Sequence, residues 1–232
     1  MMPTKQNSTF EPYPVVIRQA PRRAGINQAH RYGAVILAAG TDQEEHLSIP
    51  AAVATSLNKE LISQKFCPQD RSEALSAIQS CMRKCAIARI ESLVNRRDYS
   101  AAEIKRKLVD SGYPCELADE VIDAAKRGRA LDDERFAAAF IRSKIAAGWG
   151  TRRIEIELKR RGVEAKDVPG WPESFVAMDF EATRAFELIS RRHLTGKNDY
   201  PKLVRFLVGR GFSLHDAKSA AARRLQASED NS

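Results

Sequence analysis

Apolar residues recur every three or four positions from about residue 71 to 225, whereas the first third of the chain lacks this period. Side chains spaced by three and four lie on one face of a helix, so the pattern predicts amphipathic helices. Ala, Leu, Arg, Lys and Glu dominate this stretch, and all are strong helix formers. The sequence therefore predicts an all-α fold for most of the chain.

The N-terminal third has a different pattern. Residues 1–32 carry several prolines among polar residues and show no helical period, which predicts a flexible lead. Residues 33–70 are predicted to form a small mixed module. In it, two β-rich runs at 34–37 and 47–50 precede a short helix over 51–62.

Three copies of one pattern follow one another in the helical stretch. Gly112, Gly162 and Gly211 lie 50 and 49 residues apart, and each is followed by an apolar residue. A leucine lies four residues before each glycine, and further apolar residues lie eight and twenty-two residues before it. The aligned apolar residues are Ile90, Ile104 and Leu108, then Phe140, Ile154 and Leu158, then Ile189, Leu203 and Leu207. Agreement of several positions in three copies predicts tandem structural repeats.

Each copy predicts three helices, and the middle helix ends at the repeated glycine in a left-handed cap. Signals for the helix starts agree with this division. Ser100 and Glu103 have the spacing of a capping box, and Thr151 and Ser213 are suitable N-cap residues.

The repeat boundaries follow from these helices. A proline-containing segment at 166–172 interrupts the second copy, so its third helix is expected to be short or displaced. One three-helix unit has a small interior, so the copies are expected to stack into an elongated, curved solenoid. The predicted boundaries are 71–133, 134–178 and 179–225, with a disordered tail over 226–232.

Composition narrows the class of partner. The 38 Lys and Arg residues exceed the 30 Asp and Glu residues, and the formal charge of +8 favours acidic partners such as nucleic acid. Four cysteines in 232 residues do not form a disulfide framework. Cys81 and Cys85 lack the further ligands of a zinc site, so they are interpreted as small buried residues and no metal or cofactor is predicted. No signal peptide or apolar span is recognised, and a cytoplasmic protein without a membrane partner is expected.

Catalytic motifs are not found in the sequence. Asp132 and Asp133 are adjacent at a predicted helix start, where helix capping explains them better than metal binding or acid–base chemistry. The chain contains no P-loop, nucleophile elbow or HExxH motif. A non-enzymatic protein is predicted, and an enzyme with its site in residues 33–66 is the alternative.

Residues 128–163 carry the motifs that point to a family. An L-D-D-E-R-F-A segment at 131–137 precedes a G-x-G turn at 148–150 and an I-x-x-E-L-x-x-x-G helix at 154–162. This order resembles the RecX family of RecA modulators, and the resemblance extends over about residues 82–225. The motif residues, interpreted as structural, are Asp132, Asp133, Arg135, Phe136, Phe140, Gly150, Leu158 and Gly162.

The resemblance implies three tandem three-helix repeats and no catalysis. It also implies binding to RecA, especially to RecA filaments on DNA, with inhibition of filament growth and of RecA activities in recombination and the SOS response. A helical protein that competes for single- or double-stranded DNA is the alternative. Three repeats form a closed set, so a monomer is expected.

Clusters of Arg and Lys in or beside the repeats are the candidate partner-binding surface. Consecutive helical residues turn about 100° each, so many of these cations should face away from the apolar stripes. They would contact DNA phosphates or an acidic groove of a protein filament. The alternative is a solvated surface neutralised by neighbouring glutamates. The candidates are Arg96, Arg97, Lys105, Arg106, Arg152, Arg153, Lys159, Arg160, Arg161, Arg205 and Arg210.

Overall fold

The computed structural model describes residues 12–20, 32–176 and 180–229. Within these residues the chain forms a three-stranded sheet followed by nine α-helices, which confirms the mainly helical fold with β structure near the N-terminus. The strands are β1 (Val15–Arg18), β2 (Tyr32–Leu37) and β3 (Glu45–Pro50). The helices are α1 (Ala51–Ile62), α2 (Arg71–Val94), α3 (Ala101–Asp110), α4 (Cys115–Arg127), α5 (Asp133–Ala146), α6 (Thr151–Arg160), α7 (Phe180–Ser190), α8 (Asp199–Arg210) and α9 (Leu214–Glu229).

The sheet is antiparallel, with β2 between its two neighbours. The β-branched residues of β1 favour extended backbone, and β2 supplies their hydrogen-bonding partner. The prediction of a flexible lead over 1–32 is therefore wrong for Val15–Arg18, while most of that segment lies outside the described residues. The helix α1 packs on the sheet where a Cβ on Gly33 would lie 2.4 Å from the Cβ of Ala54, so the close approach requires glycine.

The chain divides into two compact units, and each is described separately. The first comprises Met1–Arg97 and Ile104–Leu131. Its core joins the sheet, α1, α2, the greater part of α3, and α4. Leu57, Ile104 and Leu108 are fully buried in it.

The second unit comprises Asp98–Glu103 and Asp132–Ser232. One apolar cluster joins α5, α6 and the 3-10 turn Ala165–Asp167, and a second joins α7, α8 and α9. Ile154 and Leu158 are fully buried in the first cluster, as are Ile189 and Leu207 in the second. The apolar stripes predicted from the four-residue spacing are thus the faces that the helices bury.

The three repeated glycines end α3, α6 and α8 with φ values of +93°, +82° and +95°. In each copy the N–H of the apolar residue after the glycine donates to the carbonyl of the repeated leucine. The three donor–acceptor pairs are Tyr113 to Leu108 (3.2 Å), Val163 to Leu158 (3.0 Å) and Phe212 to Leu207 (3.2 Å). This bond satisfies a carbonyl at the helix end, and the positive φ that it needs is readily available only to glycine. The predicted left-handed caps are confirmed.

Three local expectations need correction or qualification. Thr151 is the first residue of α6 rather than its N-cap, because Gly150 occupies the cap position. In the second copy the 3-10 turn Ala165–Asp167 stands where the other copies have a helix, as the prolines after it lead one to expect. The helix α9 continues through the predicted tail to Glu229, since nothing in 226–229 breaks a helix, and residues 230–232 lie outside the described residues.

Candidate partner-binding surface

The start of α3 is held by residues distant in sequence. Ser100 is fully buried, and its Oγ donates to the carbonyl oxygen of Arg161 at 2.5 Å. The same Oγ accepts from the Glu103 N–H at 3.1 Å, and the Ser100 N–H donates to Glu103 Oε2 at 3.2 Å. This reciprocal pair is the predicted capping box. The N–H of Ala101 donates to Asp133 Oδ1 at 2.7 Å, so an acid of the family motif caps a second helix.

The start of α6 has an equivalent arrangement about 50 residues later. The N–H of Gly150 donates to the carbonyl of Arg210 at 2.9 Å, whereas at α3 it is the Ser100 hydroxyl that donates to the carbonyl of Arg161. The N–H of Thr151 donates to Glu181 Oε1 at 3.0 Å, so Glu181 takes the place that Asp133 has at α3. The starts of α3 and α6 therefore receive the same kinds of bonds from residues later in the chain.

The two acids of the motif have separate roles. Asp132 is the N-cap of α5, where its Oδ1 accepts from the N–H of Arg135 at 2.9 Å. Asp133 accepts from α3 instead. Phe136 is buried, and its ring lies 6.1 Å from that of Phe140. Each of these contacts lies within the fold.

Glu181 and Arg184 form a buried ion pair on α7. Their side chains are 11% and 12% exposed, and Arg184 Nη1 lies 3.5 Å from Glu181 Oε2. Arg184 Nη2 also donates to the carbonyls of Trp149 at 2.7 Å and Ile145 at 3.3 Å, which caps the end of α5. Burial lowers the pKa of the Arg184 guanidinium from its ordinary value, and the charges of Glu181 and Glu187 oppose that change.

Four of the predicted basic residues contact groups elsewhere in the fold. Arg161 lies 3.0 Å from Glu103 and 3.2 Å from Glu157, and its side chain is only 23% exposed. Arg153 stacks 4.0 Å from the centre of the Trp149 ring. The other two are Arg210, which donates to the carbonyl of Ala147 at 3.2 Å, and Lys105, which pairs with Asp119 at 2.6 Å.

The outward side of α6 carries a different set of residues. Arg152, Ile156, Lys159 and Arg160 recur at helical spacing on the side away from buried Ile154 and Leu158. We call these four residues the α6 outer face. Lys159 and Arg160 are each 73% exposed, with Glu164 3.4 Å from Lys159 Nζ and Glu157 2.9 Å from Arg160 Nη2. Ile156 is 69% exposed between the cations.

The remaining basic candidates are exposed at other places. Arg96 and Arg97 follow α2, Arg106 lies on α3, and Arg205 lies on α8. Exposed Val208 is three residues beyond Arg205, so α8 also presents an apolar residue beside a cation.

Sequence reasoning missed Ile156, Glu181 and Arg184. Ile156 could have been found, because an isoleucine two residues from each member of the Ile154–Leu158 stripe must point away from it. Glu181 and Arg184 have the spacing of an ordinary helical ion pair, and the backbone groups that they bind lie thirty or more residues away in the chain, so nothing nearby marked their role.

Two features are absent from the described part of the chain. There, no three His, Cys, Asp or Glu side chains are grouped so that they could hold a metal ion. Of the helices described, none combines the length and apolar character needed to cross a membrane.

Comparison with known proteins gives one consistent family. Residues 132–168 match the sequence model of the RecX second three-helix domain. The chain is 33% identical over 143 residues to regulatory protein RecX of Vibrio cholerae, covering 60% of this chain and 90% of that protein. It is 30% identical over 127 residues to regulatory protein RecX of Pseudomonas entomophila, covering 53% and 80%.

Two further similarities are a shorter sequence match and a match to a solved structure. Regulatory protein RecX of Actinobacillus pleuropneumoniae is 39% identical over 72 residues, and the match spans 48% of its length. A crystal structure of regulatory protein RecX aligns with a TM-score of 0.55 at 19% identity, covering 81% of this chain and 93% of that one. At this identity the structural likeness shows the fold. The sequence matches over most of the Vibrio and Pseudomonas proteins show more: this chain belongs to the RecX family of regulatory proteins.

Proposed function

We propose that this protein binds RecA, and in particular RecA filaments on DNA, in the bacterial cytoplasm. It acts as a monomer without catalysis of its own and inhibits filament growth and RecA activities in recombination and the SOS response. The sequence match to regulatory protein RecX of Vibrio cholerae covers 90% of that protein, and this is the observation that carries the proposal. RecA is the partner that the RecX resemblance of the sequence implies.

The α6 outer face is the surface we propose for this contact. Its cations favour an acidic partner, and Ile156 stands between them with 69% of its area exposed. The phosphates of a DNA backbone would attract the cations, but an exposed isoleucine adds no binding energy to a phosphate contact. A protein surface with carboxylates around an apolar pocket is stabilised by both. The exposed isoleucine therefore supports a protein partner over bare DNA.

The exposed cations Arg96, Arg97, Arg106 and Arg205 are proposed as further contacts. We leave Lys105, Arg153, Arg161 and Arg210 out of the binding surface, because each of them contacts a group in another part of the fold. Contacts spread over several helices would favour a filament over free RecA, because each contact made raises the effective concentration of the next.

A RecA ATPase assay on single-stranded DNA tests the proposal. Titration of the purified protein should inhibit ATP hydrolysis by RecA, and inhibition well below stoichiometric amounts would indicate capping of filament ends. Inhibition only near one protein per RecA would indicate coating. Undiminished ATPase activity, together with equal retention of filament and free RecA in a pull-down at physiological salt, would refute the proposal.

The substitution Ile156→Ser should weaken binding to RecA filaments by about tenfold, the cost of losing one apolar anchor at an interface. DNA binding measured without RecA should be unchanged, because no charge is altered. Ile62→Ser is the matched control, since Ile62 is 75% exposed at the end of α1 and lies outside the α6 outer face. Equal effects of the two substitutions would remove Ile156 from the contact.

Competition for DNA is the alternative function, and the basic side of the same surface favours it. It predicts DNA affinity without RecA that falls steeply with salt. Arg152→Glu with Lys159→Glu should then abolish DNA binding and filament inhibition together. These two residues are chosen because both side chains are exposed, so reversal leaves the internal contacts of Arg153 and Arg161 intact. Inhibition that survives the loss of DNA binding would exclude competition.

A further inference from the structure

Two cysteines lie one turn apart on α2 in the first unit. Cys81 is buried with 3% of its surface exposed, whereas Cys85 is only half-buried. The two thiols hydrogen-bond to each other, and both are within hydrogen-bonding reach of Ser56 on α1. The sequence predicted two small buried residues, which is confirmed for Cys81, whereas Cys85 is only partly buried.

Cys85 opens onto a groove of about 650 Å³. The groove runs between α2 and the end of α3, and Arg89, Lys107, Asp110 and Tyr113 also line it. Two cations and one carboxylate line the groove, so its lining carries an excess of positive charge, while the charge of Glu60 acts on Cys85 from outside this lining. A small anionic molecule would fit this charge and volume.

The surroundings of Cys85 favour its thiolate. The hydrogen bond from the Cys81 thiol lowers the pKa of Cys85 to about 7, Ser56 acts in the same direction, and burial and the charge of Glu60 oppose them. The same hydrogen bond raises the pKa of Cys81, so Cys81 stays a thiol and a donor. Burial raises the pKa of Tyr113 to about 12, with the negative charge of the cysteines adding to it and Arg89 opposing.

We infer that Cys85 is a redox modification site, at which the disulfide of a small anionic thiol exchanges to leave a mixed disulfide in the groove. The Cys85 thiolate attacks one sulfur of the small disulfide, and a new S–S bond forms as the old one breaks. The other half leaves as a thiolate and takes up a proton. Cys85 is oxidised and the leaving thiol is reduced, so no further oxidant is required.

The helix itself keeps the mixed disulfide from being resolved by Cys81. Side chains one turn apart on a helix have Cβ atoms about 5–6 Å apart, whereas a disulfide needs about 3.5–4.5 Å. Cys81 therefore serves as a positioning residue that donates to the Cys85 sulfur. The inference does not depend on RecA binding.

Oxidised glutathione is the probe for the experiment, used on the full chain near pH 7 and read by intact mass and peptide mapping. We expect the first adduct on Cys85, ahead of exposed Cys67 and Cys115, and its loss in Cys85→Ser. Adducts that form on Cys67 or Cys115 at the same rate as on Cys85, or faster, would overturn the inference. Unchanged thermal unfolding of Cys85→Ser checks that the variant is folded.

Two further variants separate reactivity from recognition. Cys81→Ala, which removes the donor, should move the midpoint of the pH profile for alkylation of Cys85 by iodoacetamide from about 7 towards about 8.5, the value of an ordinary thiol. Arg89→Gln should slow the reaction with oxidised glutathione about threefold, the loss of one partly screened charge contact. It should leave the reaction with neutral hydroxyethyl disulfide unchanged. A profile that does not move, or equal slowing with both disulfides, would contradict the roles given to Cys81 and Arg89.

Discussion

Gly211→Ala is expected to lower the free energy of unfolding by about 2–5 kcal/mol, because it adds backbone strain and a steric clash together. Gly211 has φ +95°, a conformation that costs a non-glycine residue about 1–2 kcal/mol. A Cβ at this position would lie 2.3 Å from the Cβ and 2.6 Å from the backbone nitrogen of Arg153. Because a Cβ is fixed by the backbone, the new methyl group cannot rotate away from Arg153 at the start of α6. Urea unfolding followed by circular dichroism would measure the loss.

Two other glycines separate the two causes. Gly196 has φ +75° and nothing within 4 Å of a built Cβ, so Gly196→Ala should cost only the strain, about 1–2 kcal/mol. Gly150 has φ −80°, but its Cβ would lie 2.3 Å from the carbonyl carbon of Gly211, so Gly150→Ala should cost the clash alone. An equal loss for Gly211→Ala and Gly196→Ala would show that the α6–α8 contact is not tight.

Gly162 repeats the arrangement one copy earlier. Its φ is +82°, and a Cβ there would lie 2.2 Å from the Cβ of Ala102 at the start of α3. Gly162 and Gly211 therefore serve twice, as helix caps and as the sites against which the start of the preceding middle helix packs.

Arg184→Met is expected to destabilise the second unit by about 3–5 kcal/mol, the cost of removing one partner from a buried ion pair. The change would leave the Glu181 carboxylate, which is 8% exposed as a residue, without its cation. It would also take the donor from the carbonyls of Ile145 and Trp149. Thermal and urea unfolding are the measurements.

Arg160→Met is the matched control for that experiment. Arg160 also pairs with a glutamate on its own helix, Glu157, at 2.9 Å, but its side chain is 73% exposed. Water screens such a pair, so the loss should stay below about 1 kcal/mol. A cost for Arg184→Met as small as that of Arg160→Met would mean that water reaches the Glu181–Arg184 pair.

The sequence was sufficient wherever the structure depends on neighbours in the chain. Ile154, Leu158 and Gly162 specify a buried helix face and its end through contacts within two turns, and these features are found as predicted. The capping box of Ser100 and Glu103 also acts over three residues. The short runs that form β2 and β3, and the helix after them, were likewise recognisable from pattern alone.

The role of each basic residue needed the fold. Arg160 and Arg161 are adjacent and chemically identical, yet their side chains are 73% and 23% exposed. The difference arises because Glu103 and the Phe140 ring approach Arg161 from other helices. A pattern of charges along one helix cannot show which of its cations another element will meet.

By itself, then, the sequence determined the helices, their buried faces, the repeated glycine caps and the family, because each rests on local spacing or on shared motifs. Only the tertiary structure decided that Asp133 and Glu181 cap helices other than their own, that Val15–Arg18 finds a strand partner, and that Cys85 faces a groove. These features depend on groups brought together from distant parts of the chain. Their partners are fixed by packing, which the order of residues does not reveal.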